Sequence, residues 1–218
     1  MTTTGDDGEL RLGARVYASD GSHVGSLHRA LVDQNDFRLR ALVVKESRSF
    51  SGHLLSPGSS LLVDDVLVPV EALANKSDDR IELNLDAAAI RRLPPYLHYR
   101  YTTPSGSEDL EHVGEALAGW PGVPSMAQEA EKRPDEIEIE ADEKVMARTP
   151  GQVLGEVESV LFEHGALVGV ALKPAGWFKA PVILPRRLLE RGDDLALFAR
   201  LEKDDLAQLQ PFEPEPDG

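Results

Sequence analysis

The 218-residue sequence predicts a mostly β protein: two small β-barrels in tandem, each ending in a short helix, joined by a flexible acidic linker containing Pro and Gly. Short β-rich runs alternate with turn residues in both halves, helical periodicity is confined to the end of each half, and one stretch of sequence returns in altered form. These features place a first barrel at residues 9–96, a linker at 97–135 and a second barrel at 136–212.

In the first copy, strands are predicted at 15–17, 24–32, 39–44, 61–62, 66–69 and 80–83. Their turns fall at Asp20-Gly21, at 34–36 and at 56–59, where the residues accept positive φ or bond their own backbone. Gly25 and Gly155 sit inside strand-like text, where a missing side chain permits a bulge or a close backbone approach. Pro69 and Pro185 mark strand exits, because proline lacks the N–H a ladder needs. Asp86 is placed to cap AAAIRRL, which Pro94 stops, and Asp204 to cap DLAQLQ ahead of Pro211. Leu93 and Leu209 would then plug the open barrel ends.

The repeat carries the duplication. LGARVYASDGSHVG, at 12–25, returns as EKVMARTPGQVLG, at 143–155. Gly21 and Gly151, Gly25 and Gly155, Leu27 and Val157, and Leu31 and Leu161 all lie 130 residues apart. Farther on, Pro69 and Pro185, Leu73 and Leu189, Leu93 and Leu209, Pro95 and Pro211, and Tyr96 and Phe212 lie 116 apart. The second copy is therefore 14 residues shorter, and most of the difference falls between Lys45 and Val66, in loop-like text. From Glu129 to Glu143 there are eight acidic residues and two basic ones, a density that opposes compaction unless one face pairs in a sheet. The alternation at Ile137 and Ile139 predicts that a strand begins there.

GARVYASDGSHVGSLHRALVD, with RLRALVV, DVLVPVEAL and IELNLDAAAIRRLPPY, resembles the PRC-barrel domain, the small β-barrel shared by the photosynthetic reaction-centre H subunit and the ribosome maturation factor. VMARTPGQVLGEVESVLFEHGALVGVALK, with VILPRRLL and LALFARLEKDDLAQLQPF, is similar to the same domain in more divergent form. The resemblance implies fold and partner binding rather than a shared catalytic set. The chain departs from both relatives: it has no candidate for the membrane helix of one, and both its halves look like PRC barrels, where the other pairs a PRC barrel with a different N-terminal barrel.

Composition narrows the chemistry. The formal net charge of −15 disfavours nucleic acid and anionic lipid surfaces as partners. Zero cysteines remove disulfides, thiolate nucleophiles and Cys-ligated metals. Without a signal-like or membrane-length apolar run, a cytoplasmic location is expected. His23, His28, His53, His98, His112 and His164 show no metal-ligand spacing, and each reads as a surface or turn residue. Asp33-Gln34-Asn35-Asp36 resembles the start of a calcium loop, but Arg38 stands where glycine is needed and Val44 where glutamate is, so it reads as a hairpin turn. Asp64-Asp65 reads as the solvated start of a strand, its two carboxylates on opposite faces. Arg91-Arg92 and Arg186-Arg187 are basic spots expected to pair with neighbouring acids.

No cofactor, metal site or catalytic set is expected, and the function read from these residues is non-catalytic protein interaction or scaffolding, through a protein partner or self-association. The candidate contacts are Trp177 and Phe178, in a Pro- and Gly-containing hairpin loop, and Trp120, in the linker. One alternative is association with a ribosomal or RNA particle. The other is a small-ligand or enzymatic role in a cleft between the barrels, drawing on Asp64, Glu71 or His53.

Overall fold

Two 11-residue strands organise the molecule, and each has an interior glycine followed by apolar residues at matching positions, Leu27, Ala30, Leu31 and Val32 in one and Val157, Val160, Leu161 and Phe162 in the other. The computed structural model describes residues 8–51, 65–77, 79–102, 125–130, 135–147, 153–174, 180–193, 196–201, 205 and 209–212. In chain order its strands are β1 (Gly8–Arg11), β2 (Arg15–Tyr17), β3 (His23–Asp33), β4 (Leu39–Glu46), β5 (Asp65–Pro69), β6 (Leu73–Ser77), β7 (Arg80–Leu83), β8 (Leu97–Thr102) and β9 (Ser125–Ala130). There follow β10 (Glu136–Glu140), β11 (Lys144–Ala147), β12 (Val153–Glu163), β13 (Ala166–Pro174), β14 (Val182–Pro185), β15 (Leu189–Asp193), β16 (Ala196–Ala199) and β17 (Gln210–Pro211). The helical elements are short: α1 (Arg48–Ser51), α2 (Ala87–Ile90), and 3-10 turns at Val70–Ala72 and Arg186–Leu188. The protein is thus mostly β.

The two main sheets share one strand order. The first runs β5-β4-β3-β2-β7-β6 and the second β14-β13-β12-β11-β16-β15, with β17 beyond β14. In each, the parallel pair occupies the same place, β2 with β7 and β11 with β16. The irregularities coincide as well, at Leu27/Arg29 and Leu31/Val32 in the first sheet and at Val157/Ser159 and Leu161/Phe162 in the second. Gly25 and Gly155 lie where the neighbouring strand comes closest, since a Cβ there would collide with the carbonyl of Lys45 or of Lys173. Pro69 and Pro185 each lead from a strand into a 3-10 turn.

Neither sheet closes on itself, which corrects the expectation of two barrels each complete within its own half. The reason is length. Residues 23–26 of β3 pair with the three residues of β2, and its far edge, 29–33, would be left bare. β10, from the second half of the chain, fills that edge, pairing Glu138 with Leu31 and Glu140 with Arg29. β1 does the same for β12, pairing Glu9 with Leu161 and Arg11 with Ser159. Each half therefore lends its first strand to the other. The chain crosses back at Gly13 (φ 88°) and Asp142 (φ 60°), left-handed conformations that suit glycine and that aspartate tolerates. The crossings match in their bonds: Leu12 N–H donates to the Glu158 carbonyl at 3.0 Å, and Ala141 N–H to the His28 carbonyl at 3.0 Å.

One continuous core results, drawing Leu10, Val16, Leu42 and Ile90 from one half and Leu154, Val160, Leu172 and Leu184 from the other. The bulge after Leu27 explains why Leu27, Ala30 and Val32 face this core together although strict alternation would separate them. A smaller cluster of Leu31, Ala41, Val43 and Tyr96 covers the opposite face of the first sheet. Leu93 and Leu209 pack against the main core. Asp86 caps α2 as expected, accepting from the Ala89 N–H at 2.7 Å, whereas most of the expected second helix, like the strand at 61–62, lies outside the described residues. The span expected as linker contains β8 and β9, paired with each other from Leu97↔Ala130 to Thr102↔Ser125.

Candidate functional site

A cluster of charge sits where β10 joins β3. His28 and Arg29, adjacent in sequence, reach the same side because the bulge between Leu27 and Arg29 breaks the alternation. His28 Nδ1 lies 2.9 Å from Asp65 Oδ2, and its Nε2 lies 3.1 Å from Glu140 Oε1. Arg29 contacts Asp65 (3.4 Å), Glu138 (2.6 Å) and Glu140 (3.3 Å). The Glu138 contact is an ion pair without hydrogen-bond alignment at Nε. Tyr96 Oη donates to Glu138 Oε2 at 2.8 Å, and the guanidinium of Arg29 lies 5.3 Å from the Tyr96 ring centroid. Burial, and then the bond to Glu138, hold the Tyr96 phenol well above its ordinary pKa, so it remains a donor. Burial opposes the charge on Arg29, but Glu138 and Glu140 outweigh it and raise its pKa.

Every charge in this cluster faces an opposite one, and its members bridge β3, β5 and β10. It works as a clamp for the exchanged strand. The equivalent place in the second sheet carries the reverse polarity: Glu158 lies 3.8 Å from Arg11, and Ser159 donates to Glu9. Asp65, expected as the solvated start of a strand, is only 5% exposed and anchors the clamp. Its partners His28, Arg29, Tyr96, Glu138 and Glu140 were not identified as a group from sequence. The available signal was that the glutamates of EIEIE require countercharges when paired in a sheet.

The halves also meet at their hairpin turns, where the Leu167 N–H donates to the Phe37 carbonyl at 2.8 Å and the Leu39 N–H to the Gly165 carbonyl at 3.2 Å. Two grooves flank this contact. The larger, about 360 Å³, is lined by Asp36, Phe37, Leu167, Val168, Arg186 and Arg187 among others. The smaller, about 240 Å³, is lined by Arg38, Leu39, Arg40, Val70, Glu71, Leu73 and Gly165. Asp33 shapes the turn beside both, its Oδ1 accepting from the Asn35 N–H at 2.7 Å and its Oδ2 from Arg40 Nη2 at 2.7 Å. Those bonds hold the Asp33 carboxyl down to about 2. Asp33 to Asp36 thus form the hairpin turn expected of them, and Arg40 lies a further 3.8 Å from Asp36.

Of the residues singled out from sequence, Trp177, Phe178 and Trp120 lie outside the described residues, as do His53 and Asp64. Glu71 lines the smaller groove. Arg186, expected to pair with an acid, lies over the Phe37 ring at 4.1 Å, and Arg91 over Phe50 at 4.6 Å. Among the described residues, no group of three His, Asp or Glu side chains is placed to hold a metal, and no helix is long and apolar enough to cross a membrane. No curated protein matches the chain. Residues 12–90, which run from just ahead of β2 to the end of α2, match the PRC-barrel domain.

Proposed function

We propose that this protein is a non-catalytic interaction or scaffolding module built from two PRC-barrel copies, the second a diverged repeat of the first, acting in the cytoplasm. The shared strand order and coincident bulges support the duplication. The observation that carries the functional reading is the pair of grooves at the junction, each made jointly by both halves. Such composite surfaces exist only in the folded whole, which suits a binding module. Trp177, Phe178 and Trp120 are the further proposed contacts, for a protein partner or a second copy of the chain.

The test compares the full chain with a Trp177→Ala/Phe178→Ala variant and an Arg186→Glu/Arg187→Glu variant, after circular dichroism has shown each folded. Loss of self-association by light scattering, or of capture of a purified partner, in either variant is the expected result. Undiminished association in both removes the reading. A small-ligand role draws on Glu71 beside Arg38 and Arg40 in the smaller groove. A metabolite retained in native mass spectrometry and lost in Glu71→Gln would replace the interaction reading with it. Salt-dependent RNA binding at physiological ionic strength would replace it with the RNA-particle reading.

A further inference from the structure

The two junction grooves are built on equivalent backbone, so each serves as a control for the other. Matching the sheets strand by strand sets Arg40 against Val168, Val70 against Arg186, Glu71 against Arg187 and Gly165 against Phe37. The smaller groove therefore carries side chains of both charges and glycine at the turn. The larger one carries two guanidinium groups, an aromatic ring and an exposed apolar side chain, with Asp36 as its one acid.

Three features of the larger groove are not demanded by the fold. Phe37 adopts φ 60°, a conformation that bulky residues rarely take, at a place where its counterpart Gly165 has φ 73°. Val168 is 41% exposed, the large apolar side chain that stands out to solvent among the described residues. Its counterpart, Arg40, shows that the position tolerates charge. Arg186 and Arg187 are exposed, Arg186 lies over Phe37, and Arg187 has no ion pair among the described residues.

Resting on the interaction reading above, we infer that the groove formed by Phe37, Val168, Arg186 and Arg187 binds a short acidic segment of a protein partner, its carboxylates on the two guanidinium groups and one apolar side chain against Val168 and Leu167. Guanidinium forks suit carboxylates, and the Phe37 ring helps hold Arg186 in place. The chain's net charge of −15 is compatible with this ligand: charges beyond about 8 Å are largely screened at physiological ionic strength, and Asp36, the acid lining the groove, accepts from the Arg38 N–H at 3.0 Å and lies 3.8 Å from Arg40. A nucleic acid, with phosphates running along its whole length, meets the surrounding acids as well as the two arginines. That favours a peptide with few charges.

The test is fluorescence anisotropy of the full chain with fluorescein-labelled synthetic nonapeptides, in which two glutamates and one leucine stand among glycines and serines. Parallel peptides replace the acids by their amides, or the leucine by serine. Saturable binding of the acidic leucine peptide is expected, weakened at least tenfold by Arg186→Glu/Arg187→Glu and severalfold by Val168→Ser. Glu71→Gln, in the other groove, should change it less than twofold. All the substituted side chains are exposed or line an open groove, and circular dichroism checks the fold. The inference is overturned by absence of saturable binding, by equal binding of the amide peptide, or by indifference to all three groove substitutions. It is also overturned if a 12-nucleotide single-stranded RNA binds more tightly than the peptide and loses that binding in Arg186→Glu/Arg187→Glu. Association that survives the groove variants but fails in Trp177→Ala/Phe178→Ala would sink this inference and leave the interaction reading standing.

Discussion

Asp33 couples the hairpin turn to pH. Two backbone N–H groups and the Arg40 guanidinium favour its charged form, which lowers its folded pKa to about 2 against about 4 in an unfolded chain. A depressed carboxyl pKa contributes stability that is complete above the unfolded value and is lost as pH falls from about 4 through about 2. Urea midpoints measured across that window should drop more steeply for the natural protein than for Asp33→Asn, with the two curves parallel above pH 5. Identical slopes would mean that Asp33 is not a source of the acid sensitivity. At Gly25 and Gly155 the constraint is steric, since an added methyl meets a backbone carbonyl that cannot rotate away. Gly25→Ala is expected to destabilise by about 1–3 kcal/mol, the usual range for overpacking, and Gly155→Ala to do likewise in chemical denaturation.

Strand exchange is decided by charge as well as by length. If β1 lay on its own β3 in the equivalent register, Arg11 would oppose Arg29, and if β10 lay on β12, Glu140 would come beside Glu158. In the observed arrangement Glu138 and Glu140 meet Arg29 and His28 instead. Arg29→Met should cost about 3 kcal/mol, because it leaves clustered carboxylates without their cation. Hydrogen exchange should then show the Ile137 and Ile139 amides losing protection before those of β4. Adding Glu138→Gln and Glu140→Gln should recover part of the loss, since the like charges disappear with the cation. A triple variant no more stable than Arg29→Met would argue against the clamp.

Across the whole molecule, shared strands and a shared core predict one cooperative unit rather than two beads. Leu154→Ala, in the second half, should destabilise by about 2–5 kcal/mol. Amides of Leu42 and Val44 in the first half should report the same loss, with far-UV circular dichroism giving a single transition coincident with it. First-half amides that keep their protection would mean that the halves unfold separately. The local elements were legible in sequence: the strands at 15–17 and 80–83, the turn glycine Gly21, the strand-exit prolines and the Asp86 cap all follow from short-range chemistry. The clamp was not. His28 and Asp65 are 37 residues apart and Tyr96 and Glu138 42 apart, and the bulge that brings His28 and Arg29 to one side leaves no mark in the alternation.

By itself the sequence determined that the chain is β-rich and acidic, because periodicity, turn residues and charge are properties of neighbouring letters. Which sheet β1 and β10 join was decided only in three dimensions, where edge length and countercharges from distant segments are compared. The same holds for the grooves. Phe37 and Arg186 meet only because the two halves pack through their hairpin turns, and no pattern within either half encodes that encounter.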